Sequence, residues 1–281
     1  MAADRSAERG SESQGVGPLG RQTAGILNIY KPQGLTSRDV VNQIQRLVRP
    51  LKVGHAGTLD PLATGVLVGC VGPATRLIEY IQRMPKEYVG TFLLGRSSPT
   101  EDTDGPVTEL DNPPIPSQEA VEMAARGMLG PVWQRPPAYS ALKVEGRRAY
   151  ELARQGQPVE LKPRPVTIYR LDVLSYKYPE LVLRIRCSSG TYARAVGRDL
   201  AAALGTSAVM SALERTAIGP FRSKYALRPE QLTPHNWDLH LLPCTWAVEG
   251  LPTIRLRPAE VERVRQGQTI YRMLRRSEAK E

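Results

Sequence analysis

Apolar residues between positions 25 and 221 alternate with polar ones or run together in short blocks, and this pattern predicts β-strands. Blocks of this length suit strands that bury one or both faces. The two longest follow each other along the chain, so we expect them to pair. Five strands are predicted, at GILNIYK (25–31), GVLVGCV (65–71), KEYVGTFLLG (86–95), VTIYRLDVLSY (166–176) and LVLRIRCSSG (181–190).

Between these blocks lie segments whose apolar residues recur at the spacing of a helix. Thr36 stands at an N-cap position, and Pro50 ends a helix whose apolar face carries Val40, Val41, Ile44, Leu47 and Val48. Because strands and helices do not alternate regularly, the sequence predicts an α+β fold with a mixed, largely antiparallel sheet flanked by helices. Four further helices are predicted, beginning at Pro73, running from Ser117 to about Leu129, lying near residues 147–154, and running from Tyr192 to Leu204.

Composition divides the chain into three parts. Residues 1–24 are rich in Gly, Ser, Arg and Glu and are predicted to form a disordered tail. Residues 25–245 are predicted to form one main domain. Residues 246–281 are Arg-rich and too few to fold unaided, so they are predicted to be an appendage docked on the main domain.

Basic residues outnumber acidic ones, 38 to 28, for a net charge of +10. The excess is concentrated: residues 131–170 hold eight basic and three acidic side chains, and residues 255–276 hold seven arginines and two glutamates. Such stretches suit the phosphates of a nucleic acid, although a solvated charged face remains an alternative. No apolar run is long enough to span a membrane and no secretory signal is visible, so we expect a cytoplasmic protein.

Most familiar catalytic motifs are absent from the sequence. There is no G-x-S-x-G elbow, H-E-x-x-H pair or G-x-x-x-x-G-K-[ST] phosphate loop. A G-x-G-x-x-G in the tail lacks the preceding strand that a dinucleotide site needs. Three scattered histidines and three scattered cysteines predict neither a metal site nor a disulfide framework. Glu101, Asp102 and Asp104 could suggest a metal, but DTDG before Pro106 is more simply a tight turn.

The most unusual segment is VGHAGTLDPLATGVLV (53–68), where a Gly-rich loop leads into an apolar strand. Asp60 precedes Pro61, which biases its backbone to an extended conformation. An acid held at the rim of a sheet suits catalysis. Taken alone, however, these residues favour an ordinary turn aspartate, because Asp, Gly and Pro are common in loops.

Six blocks of the sequence, in order, resemble the TruB family of RNA pseudouridine synthases. GHAGTLDPLATG (54–65) is similar to the family's signature loop, and Asp60 stands at the position of its catalytic aspartate. The other five blocks are NIYKPQGLTSRDVV (28–41), KEYVGTFLLG (86–95), QRPPAYSALKVEGRRAYELARQG (134–156), GTYARAVGRDL (190–200) and SALERTAIGPF (211–221).

The resemblance implies a pseudouridine synthase fold in which residues 130–158 form an RNA-binding thumb and residues 246–281 a truncated remnant of a PUA-type RNA-binding domain. It implies conversion of uridine to pseudouridine, in the T-loop of tRNA at tRNA position 55, by base flipping and without cofactor or metal. Asp60 would be the nucleophile, paired with Arg194. Tyr88 would stack on the uracil, and Tyr192 would remove the C5 proton or position the base.

RNA-binding roles follow from the same resemblance. His55 would occupy the place of the flipped base, Leu213 would line the pocket, and Lys31 belongs to the N-terminal block that would contact RNA. Phosphates would be gripped by thumb residues Lys143, Arg147, Arg148 and Arg154. The implied partner is the T-arm of tRNA, bound by a monomer that needs no protein partner. Two alternatives stay open: a non-catalytic protein that binds or folds RNA, and the same chemistry on another RNA.

Overall fold

The structure, a computed structural model, describes residues 24–140, 142–144, 146–157 and 161–271. Of the proposed tail only Ala24 falls within this range. The last ten residues of the appendage lie outside it. Six helices are present in the described part: α1 (Ser37–Leu47), α2 (Ile78–Arg83), α3 (Gln118–Gly127), α4 (Ala149–Arg154), α5 (Ala193–Ala203) and α6 (Pro258–Arg265).

Thirteen strands are present in the described part of the chain. They are β1 (Gly25–Lys31), β2 (Val53–His55), β3 (Thr64–Val71), β4 (Lys86–Leu94), β5 (Arg96–Ser97), β6 (Thr108–Glu109), β7 (Gly130–Gln134), β8 (Lys143–Val144), β9 (Arg147–Arg148), β10 (Arg164–Lys177), β11 (Glu180–Cys187), β12 (Ala208–Ile218) and β13 (Phe221–Arg222).

Nine of these strands form one sheet, in which seven follow the order β1-β3-β12-β4-β11-β10-β7. β2 pairs with β3, and β13 pairs with β12. All neighbours are antiparallel except β3 and β12, which run parallel at Thr64↔Glu214 and Gly65↔Arg215. The predicted α+β class with a mixed, largely antiparallel sheet is therefore confirmed.

Helices cover the sheet because their apolar stripes match its buried positions. α1 begins where predicted: Thr36 caps it and forms a capping box with Asp39. Val40 and Ile44 on its inner face pack against β1 and β3. The helix predicted from Pro73 is instead a 3-10 segment, Gly72–Leu77, followed by the short α2.

The largest core lies between β4, β10, β11 and β12 on one side and α3 and α5 on the other. Phe92 of β4 is fully buried there, and a Cβ at Gly197 of α5 would collide with its ring. Glycine at position 197 thus lets α5 approach the sheet closely, which fixes the start of α5 beside β4.

Residues 223–248 return to the main domain. Leu242 pairs with Ile26 of β1, and the ring of Trp246 lies 5.8 Å from that of Phe221. Ala247 is buried in the same core. By contrast, α6 buries Glu260 alone among its residues. The weakly packed segment within the described chain therefore begins after about residue 248.

Candidate active site

The loop between β2 and β3 carries Asp60, and α1 fixes its backbone. Ser37 Oγ accepts a hydrogen bond from the Leu59 amide at 2.8 Å and donates one to the Leu59 carbonyl at 3.2 Å. The Ala63 amide donates to the Asp60 carbonyl at 3.0 Å. The backbone of Leu59 and the carbonyl of Asp60 are thus held by hydrogen bonds. The Asp60 side chain itself is 38% exposed and open to a ligand.

Arg194, in the first turn of α5, binds Asp60 directly. Its Nη2 lies 3.0 Å from Asp60 Oδ2, and its Nη1 lies 3.2 Å from Asp102 Oδ2. Only 6% of the Arg194 side chain is exposed. Its remaining hydrogen bonds go to the carbonyls of Thr100, at 2.8 Å, and Tyr139, at 3.0 Å. One buried guanidinium therefore joins two carboxylates and orients Asp60.

Asp102 is a site residue that sequence reasoning missed. The 98–104 segment does turn, as predicted, but the Asp102 side chain points inward and is 5% exposed. Burial raises the pKa of its carboxyl, and hydrogen bonding by Thr100 and the charge of Arg194 oppose that rise. Nothing local distinguishes Asp102 from Asp104, which is exposed, so the sequence held no signal that Asp102 is the buried one.

Arg215, on β12, is a second missed residue. It is 2% exposed and donates to the carbonyls of Val66, Thr58 and Gly57 at 2.8, 3.2 and 3.0 Å. Gly65 of β3 lies against the backbone of Arg215 and has a φ of +98. A Cβ at this position would collide with the Arg215 carbonyl. The guanidinium thus holds the start of the Asp60 loop. Arg215 lies in SALERTAIGPF, one of the blocks that resemble the family, but nothing in that mixed segment marks the arginine as buried.

Tyr88 lies on β4 directly opposite Arg215 of β12. Its side chain is 8% exposed and shares an apolar cluster with Leu59 and Leu213. Burial raises the pKa of the Tyr88 hydroxyl, and the nearby Arg215 guanidinium partly opposes this. The phenol therefore stays neutral and forms one wall of the site, with Leu213 beside it.

Tyr192, the N-cap of α5, is held by two residues. Gln134 Oε1 accepts from its amide at 2.8 Å, and Gln134 Nε2 donates to its carbonyl at 3.2 Å. The Arg164 guanidinium lies 5.0 Å from the centre of the tyrosine ring and also donates to the Gly190 carbonyl. Gln134 and Arg164 were not predicted as site residues. Their contacts depend on the pairing of β7 with β10.

Lys31 points into the protein. Its side chain has 0% exposure, and its ammonium donates to the carbonyls of Pro32 at 2.9 Å, Leu35 at 2.7 Å and Pro61 at 3.4 Å. Burial lowers its pKa to about 8, against the opposing charge of Asp60. The expectation that Lys31 contacts RNA does not fit this placement, because the ammonium holds the Asp60 loop instead of facing solvent.

His55, on β2, lies before the Asp60 loop and is partly buried. Its Nδ1 has no hydrogen-bond partner among the described residues, and burial lowers the pKa of the imidazole. The ring is therefore neutral near pH 7. A neutral, incompletely satisfied ring next to the Asp60 loop is compatible with the contact to RNA that the sequence predicts.

The thumb forms a small hairpin and a helix. Strands β8 and β9 pair at Lys143↔Arg148, and α4 ends at Arg154. Arg147 is exposed and donates to Gln155 Oε1 at 2.7 Å. The backbone thus brings the four predicted phosphate-binding positions, 143, 147, 148 and 154, into one compact unit.

No group of three or more His, Cys, Asp or Glu residues in the described chain is arranged to hold a metal ion. In the turn at residues 98–104, the Asp102 carboxylate forms a salt bridge with Arg194, and the Glu101 carboxylate forms one with Arg198. Within the same described ranges, no helix has the length and apolar character required to cross a lipid bilayer.

Comparison with known proteins places this geometry in a family. Residues 45–193 match the family profile described as TruB family pseudouridylate synthase (N terminal domain). "tRNA pseudouridine synthase B" from Syntrophobacter fumaroxidans is 41% identical over 253 residues, 88% of this chain and 83% of the relative. The protein of the same name from Clostridium novyi is 42% identical over 218 residues, 78% of this chain and 75% of the relative.

Solved structures agree with the sequence comparison. A chain from "Crystal Structure of a Cbf5-Nop10-Gar1 Complex" superimposes with a TM-score of 0.70 at 26% identity, covering 87% of this chain and 68% of that one. A chain from a structure of the archaeal box H/ACA sRNP Nop10-Cbf5 complex gives 0.67 at 25% identity, over 88% and 68%. The chain belongs to the TruB family of pseudouridylate synthases.

Proposed function

We propose that this protein converts uridine to pseudouridine in tRNA, at the T-loop uridine at tRNA position 55, with Asp60 as the nucleophile. The observation that carries the proposal is the array of Asp60, Arg194 and Asp102, in which a buried guanidinium orients a partly exposed carboxylate. The names of the bacterial relatives, which cover most of this chain, support tRNA as the substrate.

Uridine and pseudouridine are isomers, so the overall reaction consumes no oxidant, reductant or other co-substrate. The bond between uracil N1 and ribose C1′ breaks, the base turns, and a bond forms between C5 and C1′; the C5 proton leaves and N1 gains a proton. Arg194 binds Oδ2 of Asp60, and the exposed part of the carboxylate is available to the flipped nucleotide.

The walls of the site suit a flipped base. A uridine stacked in an RNA loop must leave the stack before Asp60 can reach it. Tyr88 would stack on the uracil and Leu213 would pad the pocket, while His55 would fill the space that the base leaves in the RNA. Tyr192, held by Gln134 and Arg164, would remove the C5 proton or position the base.

The proposed organisation is a catalytic domain at residues 25–245, a thumb at about 130–158 that grips the T-arm, and a C-terminal segment from residue 246. The site residues Asp60, Tyr88, Tyr192 and Arg194 all come from one chain. We propose that the protein acts as a monomer without a protein partner, in the cytoplasm where tRNA is available.

The test is to incubate the purified protein with an unmodified tRNA transcript, adding neither metal nor nucleotide, and to map pseudouridine by chemical labelling. Product at the T-loop uridine supports the proposal. Product in another RNA only would change the substrate, and tight tRNA binding without product in any RNA would favour a protein that folds RNA.

Asp102→Asn should slow the reaction while leaving tRNA affinity unchanged. The change removes a charged partner of Arg194, so the guanidinium is held less firmly against Asp60. Loss of one charge-assisted hydrogen bond, about 1.5–3 kcal/mol, corresponds to roughly a 10- to 100-fold lower single-turnover rate. Asp104→Asn, on the exposed side of the same turn, is the control and should react normally. Equal rates for the two variants would contradict the role of Asp102.

Arg147→Ala should weaken tRNA binding and lower its salt dependence. Removing one phosphate contact is expected to reduce the slope of log affinity against log salt by about one. Filter binding at several salt concentrations measures this slope. Arg126→Ala, an exposed arginine of α3, serves as the comparison and should leave the slope unchanged. If both variants keep the wild-type slope, Arg147 does not contact phosphate.

A further inference from the structure

A second arginine of helix α5, Arg198, contacts the same two segments that Arg194 binds. One segment is the acidic turn (residues 98–104), and the other is the thumb root (residues 135–140), the part of the thumb that precedes its hairpin. Arg194 donates to Thr100 and Tyr139 carbonyls. One helical turn later, Arg198 Nη1 donates to Glu101 Oε1 at 2.6 Å and Arg198 Nη2 to the Arg135 carbonyl at 2.8 Å.

Glu101 is held in an unusual conformation by this contact. Its φ is +61, a left-handed backbone that costs a non-glycine residue roughly 1–2 kcal/mol. The Glu101 side chain is 17% exposed, and burial raises the pKa of its carboxyl against the opposing charge of Arg198. The backbone is also anchored, because the Met210 amide of β12 donates to the Glu101 carbonyl at 3.0 Å. The Arg198 contact thus helps to keep the turn in the conformation that points the neighbouring Asp102 inward.

We propose that Arg198 is a positioning residue for pseudouridine formation, which, with Glu101, fixes the acidic turn and the thumb root relative to the pair formed by Arg194 and Asp60. The inference rests on the proposed function. Arg198 makes its contacts with Glu101, Asp199 and the Arg135 carbonyl, none of which is assigned to the reacting base. It acts through Asp102 and Arg194, not on the substrate.

A mechanical consequence follows for the thumb. The thumb root is joined to α5 twice, by Arg194 at Tyr139 and by Arg198 at Arg135. A displacement of the thumb when it grips RNA is therefore passed to the start of α5 and to the acidic turn, both of which support Asp60. Arg198 makes the thumb and the catalytic carboxylate respond together.

The test compares Arg198→Met and Glu101→Gln with the wild-type protein on the tRNA transcript. Single-turnover rates at saturating enzyme should fall about tenfold, the effect of losing the charge-assisted hydrogen bond between Arg198 and Glu101 that both variants disrupt, while the dissociation constant for tRNA changes little. Arg198→Lys keeps the charge and should recover part of the rate. Arg96→Met is the matched control: it breaks the Arg96–Glu109 pair, and Arg96 and Arg198 side chains are both 28% exposed.

A double-mutant cycle with Asp102→Asn separates positioning from general stabilisation. If Arg198 acts through Asp102, Arg198→Met should cost much less in the Asp102→Asn background than in the wild type. Additive losses, or a wild-type rate in a folded Arg198→Met protein, would overturn the inference. If Arg198→Met fails to fold, a double-mutant cycle of Glu101→Gln with Asp102→Asn takes its place. Additive losses of rate in that cycle would also overturn the inference. A wild-type protein that forms no pseudouridine would instead defeat the proposed function itself.

Discussion

Asp60→Asn protein should bind tRNA with wild-type affinity and form no detectable pseudouridine. Asparagine has nearly the same shape and keeps an oxygen that can accept from Arg194, so the loop and the pocket should be preserved. It lacks the charge and the nucleophilic oxygen on which the chemistry depends. Loss of a covalent nucleophile lowers rates by roughly four orders of magnitude or more, well beyond the effect expected for Asp102→Asn.

The measurement pairs single-turnover pseudouridine formation with tRNA filter binding on the same preparations. Asp111→Asn provides the control, since Asp111 is an exposed acid. Turnover by Asp60→Asn within tenfold of wild type would exclude Asp60 as the nucleophile, whatever its effect on binding.

Arg215→Met should both destabilise the protein and abolish its activity. Methionine fills part of the volume but leaves the carbonyls of Gly57, Thr58 and Val66 buried without their donor. Each buried acceptor left unsatisfied costs about 1–3 kcal/mol, so the loss of all three donors should lower the free energy of unfolding by about 3–9 kcal/mol. Activity should be lost because the Asp60 loop is no longer held against β12.

Urea denaturation gives the stability change, with Arg222→Met, on the exposed end of β13, as the control. Arg215→Lys keeps the charge but reaches fewer carbonyls. It should be intermediate in stability and still much slower than wild type, which separates loop positioning from simple unfolding. An Arg215→Met protein with a wild-type unfolding midpoint would show that the carbonyl contacts contribute nothing.

Local patterns were sufficient for most of the fold. The strands at β1, β3, β4, β10 and β11 and the cap at Thr36 have signals within a few residues. β12 was not predicted as a strand, because SALERTAIG mixes charged and apolar residues without a clear period. Its conformation depends on β3 and β4, between which it lies, and strand preference of this kind is set by neighbours rather than by the segment itself.

The site divides in the same way. Asp60 was singled out by its loop and by resemblance to the family, and the structure brings Arg194 to it. Asp102 and Arg215 could not be inferred, because a charged residue is stable in a core only when distant groups satisfy it, and those groups become adjacent through folding. The burial of Lys31 could not be inferred for the same reason: its three acceptors come from two separate segments.

The position of β12 in the middle of the sheet has a consequence for biosynthesis. β3 and β4 precede β12 by more than a hundred residues. They do not pair with each other, and only β12, which lies between them, joins them into one sheet. A ribosome that has synthesised the chain only to α5 therefore carries two partial sheets with open edges, joined by loops whose closure is costly. The Asp60 loop lacks Arg215 throughout this period. Nascent chains should consequently remain inactive, and vulnerable to pairing at those edges, until the last long strand has left the exit tunnel.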